Sequence, residues 1–221
     1  VTNVGNIQFL HSDPSKLLDQ AREAAVADAK ASPIIKRVLM VTLVSTAAFA
    51  GMEATFGLWS QHRYGWGPRE VGLSFAAIGV TAALCQGLLT GRLARRFGEA
   101  PMLATGLGLV CLSMSLQPWT PGPGYTVALM ALTAFGQSLA LPNISALISR
   151  ATAPDRQGAM LGLNLATGAA ARIVGPLYAG AMFSFVGPNA PYFAGAMIVA
   201  PAVWFAIDAG RAVKRVAALQ A

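Results

Sequence analysis

An all-α membrane protein with six transmembrane helices is the fold class this sequence predicts, and three observations predict it. Six apolar stretches of about twenty residues follow one another between Ile34 and Ala212, and about 20 helical residues are what a hydrocarbon core of about 30 Å requires. The charge is confined almost wholly to the short segments between them. Only 11% of the 221 residues are charged, against roughly a quarter in soluble domains. Inside lipid each backbone polar group must be satisfied within its own segment, so these stretches read as helices.

The first span is expected at about 36–60 and the second at about 70–90, with the third at about 100–118. The fourth follows at about 124–149, the fifth at about 157–186 and the sixth at about 191–210. Residues 1–33 are expected as a hydrophilic cytoplasmic lead, 34–212 as the six-helix membrane domain and 213–221 as a cytoplasmic tail. Within the lead, Ser15 to Ala31 is rich in helix formers of balanced charge and reads as a surface helix that Ser32-Pro33 ends.

Orientation follows from the cations. Lys30, Lys36, Arg37, Arg92, Arg95, Arg96, Arg150, Arg156, Arg211, Lys214 and Arg215 fall on one side, and Arg63 and Arg69 on the other. That bias places both termini on the cytoplasmic side, as an even number of spans requires. The net charge of +7 is therefore orientation chemistry, and no nucleic-acid partner is expected. Cys85 and Cys111 lie within apolar runs and read as small buried hydrophobes, with no metal site. No nucleophile–base set, metal-ligand cluster or phosphate-cradling loop is present, so the expectation is no enzyme and no cofactor.

Function is sought in the polar chemistry the spans tolerate. Glu53 and Arg172 lie deep within the first and fifth, and a charge at a helix centre costs roughly 2.5–3.5 kcal/mol on insertion scales. Each lies about 25 Å along its helix, so the two share a depth. They read either as a fixed salt bridge or as a titratable, substrate-facing site, and the second is preferred. Thr42, Thr46, Phe49, Glu53, Phe56 and Ser60 recur at steps of four and three, on one helical face that suits a cavity wall. Hydroxyls bonded back to their own helix are the competing reading. Gln137, Asn143 and Asn164 add polar groups in the fourth and fifth spans, whereas the third and sixth are nearly all apolar.

Small residues mark close-approach faces: Gly72, Ala76, Gly79, Ala83 and Gly87 in the second span, and Gly158, Gly162, Ala166 and Ala169 in the fifth. Gly175-Pro176 in mid-span invites a bend. Between the second and third spans, Gly91 to Gly98 reads as a loop with glycines at both ends and Arg92, Arg95 and Arg96 between them.

GRLARRFG (91–98) resembles the degenerate second copy of the GxLaDRxGrkxxl signature of the major facilitator superfamily, with Arg95 at the acidic position and Glu99-Ala100 at basic ones. ARIVGPLYAG (171–180) is similar to the GxxxGPxxGG motif of drug:proton antiporters, sharing Gly175, Pro176 and Gly180 and carrying Ala171 and Ala179 in place of glycines. Residues 135–149 and 157–176 also resemble the tetracycline-resistance-like branch. The resemblance implies the carboxy-terminal six-helix half of a twelve-helix permease, with residues 1–33 in its central loop. It implies proton-coupled efflux of small amphiphilic compounds by alternating access in a cell inner membrane. Spans one, two, four and five would line the cavity. The implied partners are a small-molecule substrate, protons, the bilayer, and an amino-terminal half or second copy. The alternative is a non-transporting membrane remnant or an assembly subunit.

Overall fold

The computed structural model describes residues 32–219 together with Asp19 and Glu23, with side-chain surroundings through Asp208. The expected surface helix at 15–31 lies almost wholly outside the described residues. Six long helices account for nearly all the rest: α1 (Pro33–Tyr64), α2 (Pro68–Phe97), α3 (Glu99–Leu116), α4 (Pro123–Ala151), α5 (Gln157–Phe185) and α6 (Ala190–Leu219). Five of them are long and apolar enough to cross a membrane. The exception is α5, whose apolar run is interrupted by Asn164 and Arg172 and diluted by glycine and alanine.

Local chemistry sets the ends. Pro33 occupies the first turn of α1, where its missing N–H costs nothing, and the Ser32 hydroxyl accepts from the Ile35 N–H at 3.4 Å. Gly65 closes α1 in the left-handed region at φ +69°, donating to the Gln61 carbonyl at 2.8 Å. The expectation for Gly91–Gly98 requires correction. Gly91–Phe97 is helical and continues α2, and the turn is made by Gly98 alone, at φ +89°. Leucine, alanine and arginine propagate a helix as readily outside lipid as within it, so the charges mark where α2 leaves the apolar layer, not where it stops. Likewise α6 runs on to Leu219, through part of the expected tail.

Packing makes a horseshoe. The order of the strong contacts is α5–α1–α6–α3–α4–α2, and α2 and α5, at its two ends, share no comparable packing. A continuous core of Leu103, Leu107, Val110, Met130, Ile144 and Val199 fills the centre. Two glycine crossings bring backbones together. A Cβ on Gly106 of α3 would stand 2.5 Å from the Gly136 carbonyl oxygen of α4, and one on Gly175 of α5 would stand 2.5 Å from the Ala47 carbonyl oxygen of α1.

One end of the bundle is tied by aromatic rings and hydroxyls. Trp59 stands against Tyr64 and Tyr192 at ring-centroid distances of 5.9 and 5.3 Å, and its indole N–H donates to Asn189 at 2.8 Å. The Tyr64 hydroxyl bonds Thr120 at 2.7 Å and Thr126 at 2.8 Å, joining α1 to the α3–α4 connection and to the start of α4. At the opposite end ion pairs join Arg37 of α1 to Asp208 of α6, and Arg150 of α4 to Glu99 of α3 at 2.6 Å.

Candidate functional site

The α1–α5 crossing positions the two intramembrane charges. Gly51 lies against Gly175 and Ala179, which fixes the axial register of the two helices. Glu53 stands two residues beyond Gly51, and Arg172 three residues before Gly175. That register sets Glu53 and Arg172 on opposite sides of the crossing point, and no direct ion pair joins them among the described residues. Glu53 is half-buried and Arg172 exposed. Arg172 continues the face of α5 that carries Gly158, Gly162, Ala166 and Ala169, at a further step of three.

The expected polar stripe on α1 is divided by its neighbours. Thr42 is buried and donates to the Asn164 side-chain oxygen of α5 at 2.7 Å, so these two tie the α1–α5 seam. Thr46 is also buried, and its hydroxyl has no protein hydrogen-bond partner among the described residues. Phe49 and Glu53 keep partial exposure. Phe56, fully buried, is a packing residue in an aromatic cluster with Trp59, Trp66 and Phe75. Ser60 bonds back to the Gly57 carbonyl at 3.0 Å, the competing reading of its hydroxyl.

On α4, Gln137 is buried with its side-chain oxygen unpartnered among the described residues, while the Asn143 amide donates to the Leu139 carbonyl at 2.6 Å. The helical segment Gly91–Phe97 presents its arginines outward. Arg92 donates to the Leu88 carbonyl at 2.9 Å, Arg95 is exposed, and the Arg96 guanidinium lies 5.5 Å from the Phe97 ring centre. Gly175 sits in the crossing, whereas nothing stands within 4 Å of a Cβ placed on Gly180.

Sequence reasoning missed Tyr178, whose hydroxyl would lie 3.0 Å from a Cβ on Gly51 and 3.5 Å from one on Gly195, at the junction of α1, α5 and α6. It also missed Thr90 and Ser138. Pro142 carried the signal for Ser138, because a proline leaves the carbonyl four residues earlier without its helical donor.

Both small-residue faces are open. Gly72, Ala76, Gly79, Ala83 and Gly87 of α2 are all exposed, as are the four small residues of the α5 face. A Cβ built on Gly72, Gly79, Gly87, Gly158 or Gly162 would meet nothing within 4 Å.

Comparison with known proteins agrees with this architecture. The family model for the Major Facilitator Superfamily matches residues 38–219. The chain is 29% identical over 161 residues to the class C tetracycline resistance protein of Escherichia coli, a match covering 71% of this chain and 39% of that one. It is 33% identical over 136 residues to the class G tetracycline resistance protein of Vibrio anguillarum, covering 59% and 33%. The crystal structure of the human organic anion transporter MFSD10 superposes with a TM-score of 0.72 at 23% identity, over 78% of this chain and 40% of that one. The chain thus spans well under half the length of these relatives. With a matching family model across nearly all its helices and a shared fold, this chain is a multi-pass membrane protein belonging to the Major Facilitator Superfamily.

Proposed function

We propose that the chain is the carboxy-terminal six-helix half of a secondary active transporter that exports small amphiphilic compounds in exchange for protons. The observation that carries this reading is Glu53. It is an acid held inside the spans and partly exposed, yet not locked into an ion pair with Arg172 among the described residues. A carboxylate used only as glue would be expected to close that pair, because an uncompensated charge at such depth is costly.

In this reading both termini face the cytoplasm, and α2 and α5 meet an amino-terminal half across their open faces. Glu53 takes a proton when the cavity opens to one side and releases it to the other, with Arg172 moderating its charge. Thr46 and Gln137, whose side-chain oxygens have no partner among the described residues, give the substrate hydrogen-bonding groups, Asn143 and Asn164 hold the helices that carry them, and Phe49 is an apolar wall. The segment from Gly91 to Gly98, with Arg92, Arg95 and Arg96, acts as a cytoplasmic latch. Gly175, Pro176 and Gly180 let α5 bend as access alternates.

The test is transport into proteoliposomes holding this chain with an amino-terminal half, using tetracycline, the compound named in its similar resistance proteins, as first solute. E53Q should lower pH-gradient-driven movement at least tenfold while leaving assembly intact. Unchanged coupling in E53Q would remove the role.

One observation favours a second reading. The open small-residue faces of α2 and α5 would be covered equally well by a second copy of the chain, or by a partner in a non-transporting assembly. Measuring transport with and without the amino-terminal half separates the two, because a homodimer needs no partner and an assembly subunit moves nothing in either case.

A further inference from the structure

Two helix irregularities lie side by side where α2 meets α4. Pro142 stands inside α4 and has no N–H, so the Ser138 carbonyl lacks its usual donor. Opposite it, α2 opens into a π-helical turn at Cys85–Thr90. The Thr90 hydroxyl, buried, lies 3.2 Å from the Ser138 carbonyl oxygen and 3.2 Å from the Cys85 carbonyl oxygen of its own turn. A hydroxyl has one proton to donate. It therefore stands between two acceptors, the Ser138 carbonyl that Pro142 leaves without a helical donor and the Cys85 carbonyl of its own π turn, and can donate fully to only one at a time.

The surrounding polar contacts gather at the same place. The Gln86 amide donates to the Ser138 hydroxyl at 3.4 Å, and the buried Cys85 thiol to the Phe135 carbonyl at 3.9 Å. Along the rest of α2, Ser74 bonds the Glu70 carbonyl and Thr81 the Ala77 carbonyl, both within the helix. The α2–α4 seam is thus fastened by side-chain hydrogen bonds at one turn, immediately before Gly91–Phe97.

We propose that Thr90 is a shared donor that couples the bend of α4 at Pro142 to the π turn of α2. When the Ser138 carbonyl swings away, the Thr90 hydroxyl turns to the Cys85 carbonyl, and the π turn is free to shift Gly91–Phe97 with it. When α4 returns, the hydroxyl turns back and holds the two helices together. The device depends on Thr90 and Pro142 together and makes no use of Glu53 or of transport, so it stands or falls apart from the proposed function.

Cys85 is a native reporter, since with C111A in place it is the single cysteine. The measurement is its rate of modification by N-ethylmaleimide in the full chain in liposomes, followed by mass spectrometry. T90V, which keeps the shape and removes the donor, should raise that rate at least fivefold, while T90S should stay within twofold of the parent. P142A returns an N–H to Ser138, so T90V added to P142A should change the P142A rate by less than twofold. A rate within twofold of the parent for T90V overturns the coupling, as does an equal rise in the P142A background. Should T90V fail to accumulate in membranes, its recovery in the P142A background supports the coupling, and failure there as well overturns it.

Discussion

The same residue types serve opposite ends in two regions of this molecule. At the α3–α4 and α1–α5 crossings, Gly106, Gly136, Gly51 and Gly175 are closed against neighbouring backbone, with no room for a Cβ. On the outer faces of α2 and α5, Gly72, Gly79, Gly87, Gly158 and Gly162 have nothing near them. Lipid gives helices no hydrophobic reason to associate, so small residues matter for the close packing they permit. A stripe of them predicts a partner surface. Whether that surface belongs to the same chain is settled only by which helices already fill the interior.

Matched substitutions sharpen the contrast. G106L forces a branched side chain into the Gly136 carbonyl, and should cost about 3 kcal/mol or more, seen as loss of accumulation and of thermal stability in detergent. T42V at the closed α1–α5 seam removes the donor to Asn164 and leaves a buried oxygen unpartnered, for a smaller loss of about 1–2 kcal/mol on the same scale. G79L on the open α2 face should leave the isolated chain within about 0.5 kcal/mol of its parent. Equal damage from G79L and G106L would erase the distinction between the two regions.

Much of the fold is legible in the sequence because lipid imposes length and satisfaction on each helix. The expected starts and ends of the third, fourth and fifth spans fall within about two residues of the observed helices. The end of α2 is not legible in that way. Arginines and glycine at 91–98 report the boundary of the apolar layer, while the helix obeys propensity and runs to Phe97.

The candidate site is legible only in part. Glu53 and Arg172 stand out because charge inside lipid is expensive, whereas the Gly51–Gly175 crossing, which sets them on either side of it without an ion pair, has no signature in either residue. The α1 stripe reads as one face, yet Thr42 goes to Asn164 and Phe56 to the aromatic cluster, because α1 meets different neighbours at different depths. The π turn at Cys85–Thr90 has no signature of its own, since the Ser138 carbonyl that its Thr90 hydroxyl meets belongs to α4.

In the proposed function the open α2 and α5 faces meet protein, whereas the outer face of α6 meets lipid. Photo-cross-linking with benzophenone-maleimide in native membranes tests it directly, with a single cysteine placed at Ala76, Ala166 or Met197, all exposed, in a chain lacking Cys85 and Cys111. A76C and A166C should yield a protein adduct, at about twice 22.9 kDa if the partner is a second copy, and M197C should yield lipid adducts alone. Protein adducts from M197C with none from A76C and A166C would contradict the account.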